Sequence, residues 1–191
     1  MTLADCAAIV TAAGFSSRMG SLKALLDWQG KPLLLHQLER LKGFGQLIVV
    51  TGHEAARLRT LIPSIPPARE VFNPDYPTGR TGSLLAGFRA LAPARAILVA
   101  AVDQPIEDGL PEALVQALEE HPYAFPVHDG RRGHPLVFRG DLLPELCTIS
   151  EETEGLRGIS RKYRAEAVAV PWASPSIFAD LNTPADQEAF R

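Results

Sequence analysis

Short apolar runs alternate along this chain with stretches in which apolar residues recur every three or four positions. The runs predict strands at residues 6–11, 46–51, 71–72, 95–102, 123–127, 135–138 and 167–170. From Ala96 to Val102 every residue is apolar, as expected for a central parallel strand. The periodic segments predict helices, the first opened by Pro32, one over residues 111–120 and the last starting near Thr183. Their inward faces carry Leu34, Leu38 and Leu41; Leu58, Leu61 and Ile62; Leu84, Phe88 and Leu91; and Leu110, Leu114, Ala117 and Leu118.

This alternation of strands and helices is typical of a mostly parallel sheet with helices on its faces. The chain has 191 residues, enough for one α/β domain with a sizeable core and too few for two ordinary domains. Neither a repeat nor a linker divides it, and residues 139–166 read as irregular segments. We therefore predict one α/β domain over residues 1–191, a Rossmann-like three-layer sandwich with a mostly parallel central sheet.

Composition narrows the classes of partner. Apolar residues make up 46% of the chain, and the net charge of −3 gives no support to nucleic acid or an anionic membrane as a partner. Cys6 and Cys147 are far apart and lack metal-ligand spacing, so we expect reduced thiols. The sequence shows neither a signal-peptide pattern nor an apolar run near the ~20 residues of a membrane helix. We expect a cytoplasmic protein that holds any anionic substrate with a local cluster of positive groups.

The loop after the first strand, residues 12–23, is the first candidate for such a cluster. Its small residues and glycines let backbone N–H groups approach a ligand closely, and Arg18 and Lys23 add two cations. The spacing is neither that of a dinucleotide fingerprint nor that of a Walker loop. The pattern favours phosphate binding, with a surface loop of scattered charges as the alternative.

Asp103 is a second candidate, because it follows the central strand at the edge where ligands bind in open α/β sheets. A carboxylate there can hold Mg²⁺ through one oxygen and leave the other positions to water and phosphate. The alternative is a helix N-cap, since Asp is a good cap and Pro105 follows.

Two further segments have the charge to bind an anion. Residues 80–83, Arg-Thr-Gly-Ser, precede a helix whose N-terminus attracts anions, although Thr81 or Ser83 could equally be its cap. Residues 131–134 form a basic turn that could contact an acceptor phosphate or be a solvated hairpin tip. For His134, a structural hydrogen bond and a proton-transfer role both stay open. The remaining histidines lack metal-ligand spacing.

Motifs in series along the chain resemble a known family. Residues 11–20, Thr-Ala-Ala-Gly-Phe-Ser-Ser-Arg-Met-Gly, with Lys-Ala-Leu-Leu at 23–26 and Gly-Lys-Pro-Leu at 30–33, are similar to the signature loop of nucleotidyltransferases related to molybdenum cofactor biosynthesis. The similarity is greatest to the molybdenum cofactor cytidylyltransferases, although Leu22 departs from the proline often found there. It continues through residues 50–52, 73–76, 79–84, 102–105, 133–135 and 180–186.

The resemblance implies a nucleotidyltransferase that uses Mg²⁺, or Mn²⁺ in its place, and takes an NTP and a phosphorylated acceptor such as molybdopterin as substrates. It implies catalytic roles for Lys23, Arg18 and Asp103, and metal binding by Asp103 and Asp180, for which ordinary helix capping near Asn182 is the alternative. The implied nucleotide-binding residues are Ala12, Ala13, Gly14, Ser16, Arg18, Lys23, Thr51, Gly52, Gly82, Ser83 and Asp103. The implied acceptor-binding residues are Arg80, Thr81, Gly133 and His134.

The choice of base depends on one position. Cytidylyl enzymes of the family tend to have Ala-Ala-Gly where guanylyl enzymes have Ala-Gly-Gly, so Ala13 favours a pyrimidine and hence CTP. The alternatives are a guanylyltransferase, a cytidylyltransferase for a sugar or polyol phosphate, and a nucleotide-binding module without turnover. Molybdoenzyme-maturation proteins are candidate macromolecular partners, and we expect a monomer.

Overall fold

A computed structural model of the chain describes residues 1–16 and 19–190. The described strands are β1 (Ala7–Ala12), β2 (Asp27–Trp28), β3 (Lys31–Pro32), β4 (Gln46–Thr51), β5 (Ala68–Phe72), β6 (Ala96–Ala101), β7 (Tyr123–His128), β8 (Arg131–Arg132), β9 (Leu136–Arg139) and β10 (Val168–Pro171). The described α-helices are α1 (Leu33–Leu41), α2 (Ala55–Arg59), α3 (Arg80–Arg89), α4 (Leu110–Leu118), α5 (Leu143–Leu146), α6 (Leu156–Lys162) and α7 (Pro184–Ala189).

One sheet forms the centre of the molecule, in the strand order β10-β7-β9-β6-β1-β4-β5. Strand β1 pairs in parallel with both β4 and β6, β4 pairs in parallel with β5, and β7 pairs in parallel with β10. Strand β9 is antiparallel to β6 and β7, and β8 adds a short antiparallel pairing to β7. Strands β2 and β3 form a separate hairpin. The predicted α/β fold with a mostly parallel sheet is confirmed.

The central strands are apolar on both faces because helices cover both. In β1, Ala8 and Val10 belong to a cluster of buried residues with the leucines of α1 and α4. Ile9, between them, belongs to a second cluster on the opposite face, with Phe88 of α3 and Ile159 of α6. Burying one such large side chain contributes about 1.5–3 kcal/mol, so the two clusters hold the helices against the sheet and produce three layers.

The differences from the predicted elements lie where periodicity is too short to read. Segment 139–166, predicted to be irregular, contains α5 and α6, which are only four and seven residues long. Strand β5 begins three residues before the predicted 71–72 because Ala68 already pairs with Leu47. Helix α2 ends at Arg59, so Leu61 lies outside it, and Leu91 likewise follows the end of α3. None of the described helices has the length and hydropathy needed to cross a membrane.

The parallel strands bring the predicted site residues to one edge of the sheet. Thr11 pairs with Val50 on one side and with Ala101 on the other, so β1, β4 and β6 end side by side. Beyond the end of β6, the N–H of Val102 still donates to the carbonyl of Thr11 at 3.0 Å. The loops after β1 and β6 therefore start as neighbours, although they are far apart in sequence.

A glycine at the opposite end of β6 provides a test of this packing. A Cβ at Gly140 would lie 1.7 Å from the carbonyl oxygen of Ala94. Gly140→Ala should therefore displace backbone and lower the free energy of unfolding by ~1–3 kcal/mol in urea denaturation. Gly43→Ala is the matched control, because its Cβ would meet only the flexible end of Leu3, at 3.2 Å. Equal unfolding midpoints for the two variants would contradict the described packing.

Candidate active site

The loop after β1 folds back so that its start and its end touch. The backbone N–H of Lys23 donates to the Ser16 hydroxyl oxygen at 3.0 Å, which closes the loop. Nearer β1, the carbonyl of Ala13 accepts a hydrogen bond from the His53 N–H at 3.1 Å, which fixes the loop against the segment after β4. Ala12 and Ala13 are only 4% and 5% exposed, so the loop begins as part of the core. The predicted catalytic residue Arg18 lies outside the described residues.

Lys23 is held between two oxygen atoms from distant segments. Its Nζ donates to Asp103 Oδ2 at 2.6 Å and to Asn182 Oδ1 at 2.8 Å. The side chains of Lys23 and Asp103 are 14% and 20% exposed, which makes this a largely shielded ion pair. A lysine ammonium has three N–H donors, so two are used here and the third can meet a ligand. Lys23 and Asp103, predicted separately from the sequence, thus form one cluster.

A cleft of about 420 Å³ opens beside this cluster, between the loops after β1 and β6 and the start of α3. The predicted site residues that line it are Ala12, Ala13, Gly14, Ser16, Lys23, Arg80, Ser83 and Asp103. Ser83 is also structural, because its hydroxyl accepts a hydrogen bond from Asn73 Nδ2 at 3.1 Å. The cleft combines a cation, a carboxylate and loop backbone, which is a set suited to an anionic ligand with a metal ion.

The capping alternatives for the two aspartates are not realised. The N-cap of α4 is Gly109, well beyond Asp103. The N-cap of α7 is Thr183, whose hydroxyl forms a capping box with Asp186, so Asp180 is not needed there. Asp180 is exposed, and its neighbour Leu181 donates its N–H to the Asp103 carbonyl at 2.9 Å. The two aspartates are therefore adjacent and free of capping duties.

Asp103 and Asp180 have the chemistry that a hard divalent cation requires. Within the described residues, no group of three or more His, Cys, Asp or Glu side chains stands ready to hold a metal by itself. Two carboxylates with open positions for phosphate and water oxygens are, however, the donor set by which Mg²⁺ binds at phosphate-transfer sites. The residues present fit a metal that arrives with a nucleotide.

His134 does not line the cleft, but it is near enough to Asp103 and Asp180 for their charges to act on it. Its side chain keeps exposed surface, yet protein atoms crowd the ring, and desolvation lowers its pKa. The positive charge of Arg80 also lowers the pKa, whereas the charges of Asp180 and Asp103 raise it. A lowered pKa keeps the imidazole neutral at neutral pH. The backbone N–H of His134 makes the structural hydrogen bond, to the carbonyl of Ile177 at 2.9 Å.

Three of the predicted binding residues, Thr51, Gly52 and Gly133, do not line the cleft. Thr51 is fully buried, and its hydroxyl donates to Glu70 Oε1 at 2.7 Å. Gly52 lies beneath Tyr76, whose Cβ would be 2.6 Å from any added Cβ. Gly133 packs equally closely against Ile177. None of the three lines the cleft, so the structure does not bring them together with Lys23 and Asp103, and their contact with a ligand stays a prediction.

The start of α3 also differs from the expectation for an anion site. Thr81 is 7% exposed, and its backbone N–H points to Glu151 Oε1 at 3.4 Å. Gly82 faces Thr78 and Asn73, and neither Thr81 nor Gly82 lines the cleft. A carboxylate already lies at this helix end, and the residues of the segment 80–83 that line the cleft are Arg80 and Ser83.

The basic turn at residues 131–134 is not a freely solvated hairpin tip. The guanidinium of Arg132 lies 4.0 Å from the Phe125 ring centroid and donates to the Tyr123 hydroxyl at 2.9 Å. Arg131 lies 4.4 Å from the centroid of Phe178. Both arginines cover aromatic rings and keep their outer faces exposed.

The sequence did not indicate a site role for one polar residue, Asn182, or for two aromatic residues, Phe15 and Tyr76. Asn182 holds Lys23, but its place before Thr183 and Pro184 suggested only helix capping. Phe15 and Tyr76 line the mouth of the cleft with ring centroids 5.2 Å apart, and Phe15 is 51% exposed. An exposed aromatic residue inside a glycine-rich loop was the available signal for Phe15.

The fold and the site together define a nucleotide-handling α/β protein, and comparison with known proteins agrees. Residues 8–168 match the MobA-like NTP transferase domain, so the chain belongs to that family of nucleotidyltransferases. A solved nucleotidyl transferase from Methanothermobacter is 26% identical, with a TM-score of 0.79 over 97% of this chain and 95% of that one. Nucleotidyltransferases of this family use divalent metal ions.

Curated relatives carry three different names. The molybdenum cofactor cytidylyltransferase of Escherichia coli (strain K12) is 26% identical over 97% of this chain and 94% of its own length. A molybdenum cofactor guanylyltransferase of Pseudomonas syringae pv. tomato is 30% identical over 95% and 91%. A nicotine blue oxidoreductase of Paenarthrobacter nicotinovorans is 32% identical over 92% and 91%. Identity at this level shows the family and leaves the substrates to be argued from the site.

The position of Lys23 generates a prediction for nucleotidyl transfer. Lys23→Ala should lower turnover by ~10²-fold or more, because it removes a cation that meets growing charge on the leaving phosphates. Far-UV circular dichroism should be unchanged. The control is Lys162→Ala, which removes an ion pair of similar length, 2.7 Å to Glu145, on α6. A Lys23→Ala protein that unfolds would make Lys23 a structural residue, and one that turns over normally would make it a solvated residue without a catalytic role.

Proposed function

We propose that the chain works as one nucleotidyltransferase domain over residues 1–191 and transfers CMP from CTP to molybdopterin, releasing pyrophosphate. The observation that carries the proposal is the cluster of Lys23, Asp103 and Asn182 beside the cleft. It provides a carboxylate and a cation that uses two of its three donors on described residues, at the point where a triphosphate would enter.

The chemistry needs charge neutralisation more than it needs a base. An oxygen of the acceptor phosphate attacks the α-phosphorus in line, a new P–O bond forms, and the bond to the β-phosphate oxygen breaks as pyrophosphate leaves. The attacking oxygen is already ionised near neutral pH, so no residue has to remove a proton. Lys23 and the N–H groups of the loop after β1 would stabilise the leaving phosphates.

Mg²⁺, or Mn²⁺ in its place, would be held by Asp103 and Asp180. When bound, the ion neutralises phosphate charge and orients the triphosphate. Asp103 would then have two duties, because its Oδ2 also accepts from Lys23. The adjacency of Asp180, through the Leu181 N–H bonded to the Asp103 carbonyl, supports this pairing of ligands.

The acceptor phosphate would lie near Arg80 and His134. Arg80 lines the cleft, is exposed, and makes no salt bridge within the described part of the chain, so its charge is available to an anion. The positive charge of Arg80 also lowers the pKa of His134, so the two side chains lie near each other. A neutral imidazole there can donate one hydrogen bond to a phosphate oxygen.

The base would rest against Ala12 and Ala13, which supports CTP as the nucleotide. The Ala13 peptide is anchored by the His53 N–H, so its methyl group cannot easily move aside. On this proposal, the Ala13 methyl group reduces the space that a purine base would need beside the loop.

Guanylyl transfer is the second candidate function. A relative named as a molybdenum cofactor guanylyltransferase is 30% identical over 95% of this chain. Pyrophosphate release measured with each NTP, with and without molybdopterin, separates the two. Release with neither CTP nor GTP would favour a nucleotide-binding module or a different reaction and would contradict the proposal.

Metal dependence is the first prediction of this mechanism. Because both proposed ligands are carboxylates, Mg²⁺ or Mn²⁺ should support turnover and EDTA should abolish it. Pyrophosphate release should return when either ion is added in excess of the chelator. Full turnover in EDTA would remove the proposed metal roles of Asp103 and Asp180 together.

Base preference is the second prediction. A steric difference of one methyl group corresponds to ~1–3 kcal/mol, so kcat/KM for CTP should exceed that for GTP by about ten- to two-hundred-fold. Ala13→Gly should raise kcat/KM for GTP relative to that for CTP. The ratio is the quantity to measure, because added loop flexibility can lower both values. Equal kcat/KM for CTP and GTP in the unmodified protein would assign base choice to other residues.

A further inference from the structure

A buried amide on α1 reaches the turn that carries Asp103. Gln37 has a polar side chain, yet it is 0% exposed and lies in a helix whose other buried residues are mostly leucines. Its Nε2 donates to the carbonyls of Ala101, Val102 and Gln104 at 3.1, 3.4 and 2.7 Å. Its Oε1 accepts a hydrogen bond from the N–H of Ile106 at 3.0 Å.

These contacts bracket Asp103 on both sides. Two of the carbonyls precede it, the third belongs to the next residue, and the N–H of Ile106 follows three residues later. The turn runs through the interior, since Ala101, Val102 and Gln104 are each 7–8% exposed. Buried backbone groups need partners, and beyond the end of a strand the sheet no longer provides them. Gln37 is the partner of the Val102 and Gln104 carbonyls and of the Ile106 N–H, and it shares the Ala101 carbonyl with the Gln104 N–H, which donates at 3.1 Å.

The turn determines where the Asp103 carboxylate points. The side chain of Asp103 has a short stem, so a shift of its backbone moves both carboxylate oxygens with it. Lys23 and the carbonyl contact from Leu181 hold Asp103 from the side of the cleft, whereas Gln37 holds the turn from the side of the core. Losing the bonds from the core side frees the backbone without removing any group from the cleft.

We propose that Gln37 is a positioning residue, which acts through the backbone of residues 101–106 to aim the Asp103 carboxylate at its metal and at Lys23. The proposal rests on the proposed function for the role of Asp103, and it assigns part of the catalytic geometry to a side chain that cannot touch any substrate. Outer residues of this kind typically change metal affinity or activity by ~10- to 100-fold when they are altered.

Gln37→Met tests the proposal, because methionine fills a similar volume and cannot bond to the carbonyls. Gln46→Met is the matched control. The Gln46 amide also bonds backbone in both directions, donating to the Ala92 carbonyl at 3.1 Å and accepting from the Ala92 N–H at 2.8 Å. It does so before β6, at the end of that strand away from the cleft.

Steady-state kinetics, Mn²⁺ binding and amide hydrogen exchange together separate positioning from simple loss of stability. In Gln37→Met, kcat should fall by ~10- to 100-fold while KM for CTP changes little, and Mn²⁺ binding in the presence of CTP, followed by electron paramagnetic resonance, should weaken by a similar factor. Hydrogen exchange of the Ile106 amide should become faster. Gln46→Met should keep the kcat and the Mn²⁺ affinity of the unmodified protein.

Several outcomes would overturn the proposal. A folded Gln37→Met protein with unchanged kcat and Mn²⁺ affinity would do so directly. If that variant does not fold, Gln37→Glu takes its place, since it keeps the shape and the acceptor for Ile106 but lacks the amide donors. Failure of both to fold would make Gln37 a requirement of the fold instead. If the unmodified protein releases no pyrophosphate, the proposed function fails, while Mn²⁺–CTP binding and amide exchange still decide the role of Gln37.

Discussion

The parallel pairing of β1 with β6 is the constraint on which the rest of the site depends. It brings Thr11 beside Ala101, and thereby joins two loops whose key residues, Lys23 and Asp103, are 80 positions apart in sequence. The ion pair between them then fixes the loop after β1 from its far end. A charged pair this well shielded is stable only when both partners are present and well oriented, so the loop and the strand end must form together.

Much of this arrangement could be predicted because it follows from strands that are apolar on both faces. Residues 96–102 are all apolar, so this strand is predicted to be buried on both faces. The carboxyl end of such a strand is the place where ligands bind in open sheets. Asp103 and Lys23 were therefore identified from position and charge. The ion pair between these two residues could not be predicted, because the spacing of residues in the sequence does not show which strands are neighbours in the sheet.

The direction in which a side chain points was harder to predict than the strand or helix that carries it. Thr51 pairs with Ala12 in the sheet register, but its hydroxyl donates to Glu70. Gln37 lies three residues after Leu34 and four before Leu41, so helical spacing places it on the inward face, but the spacing does not show that its amide bonds to the turn after β6. In both cases the direction depends on which neighbouring element has unpaired polar groups, and that is a property of the folded chain alone. Asn182 shows the same limit, since it serves a helix end and a lysine at once.

The likeness to both cytidylyl- and guanylyltransferases has a physical counterpart in how the cleft is divided. On the proposed function, Lys23, Asp103 and Asn182 would meet the triphosphate and its metal ion, and the triphosphate is the same in every NTP. On the same proposal, the base would lie against Ala12 and Ala13 and toward Phe15 and Tyr76, which also line the cleft. A figure for overall identity averages over every aligned position, so it does not report base choice, which depends on a few of them. A single anchored methyl group can therefore matter more to specificity than a few per cent of identity along the chain.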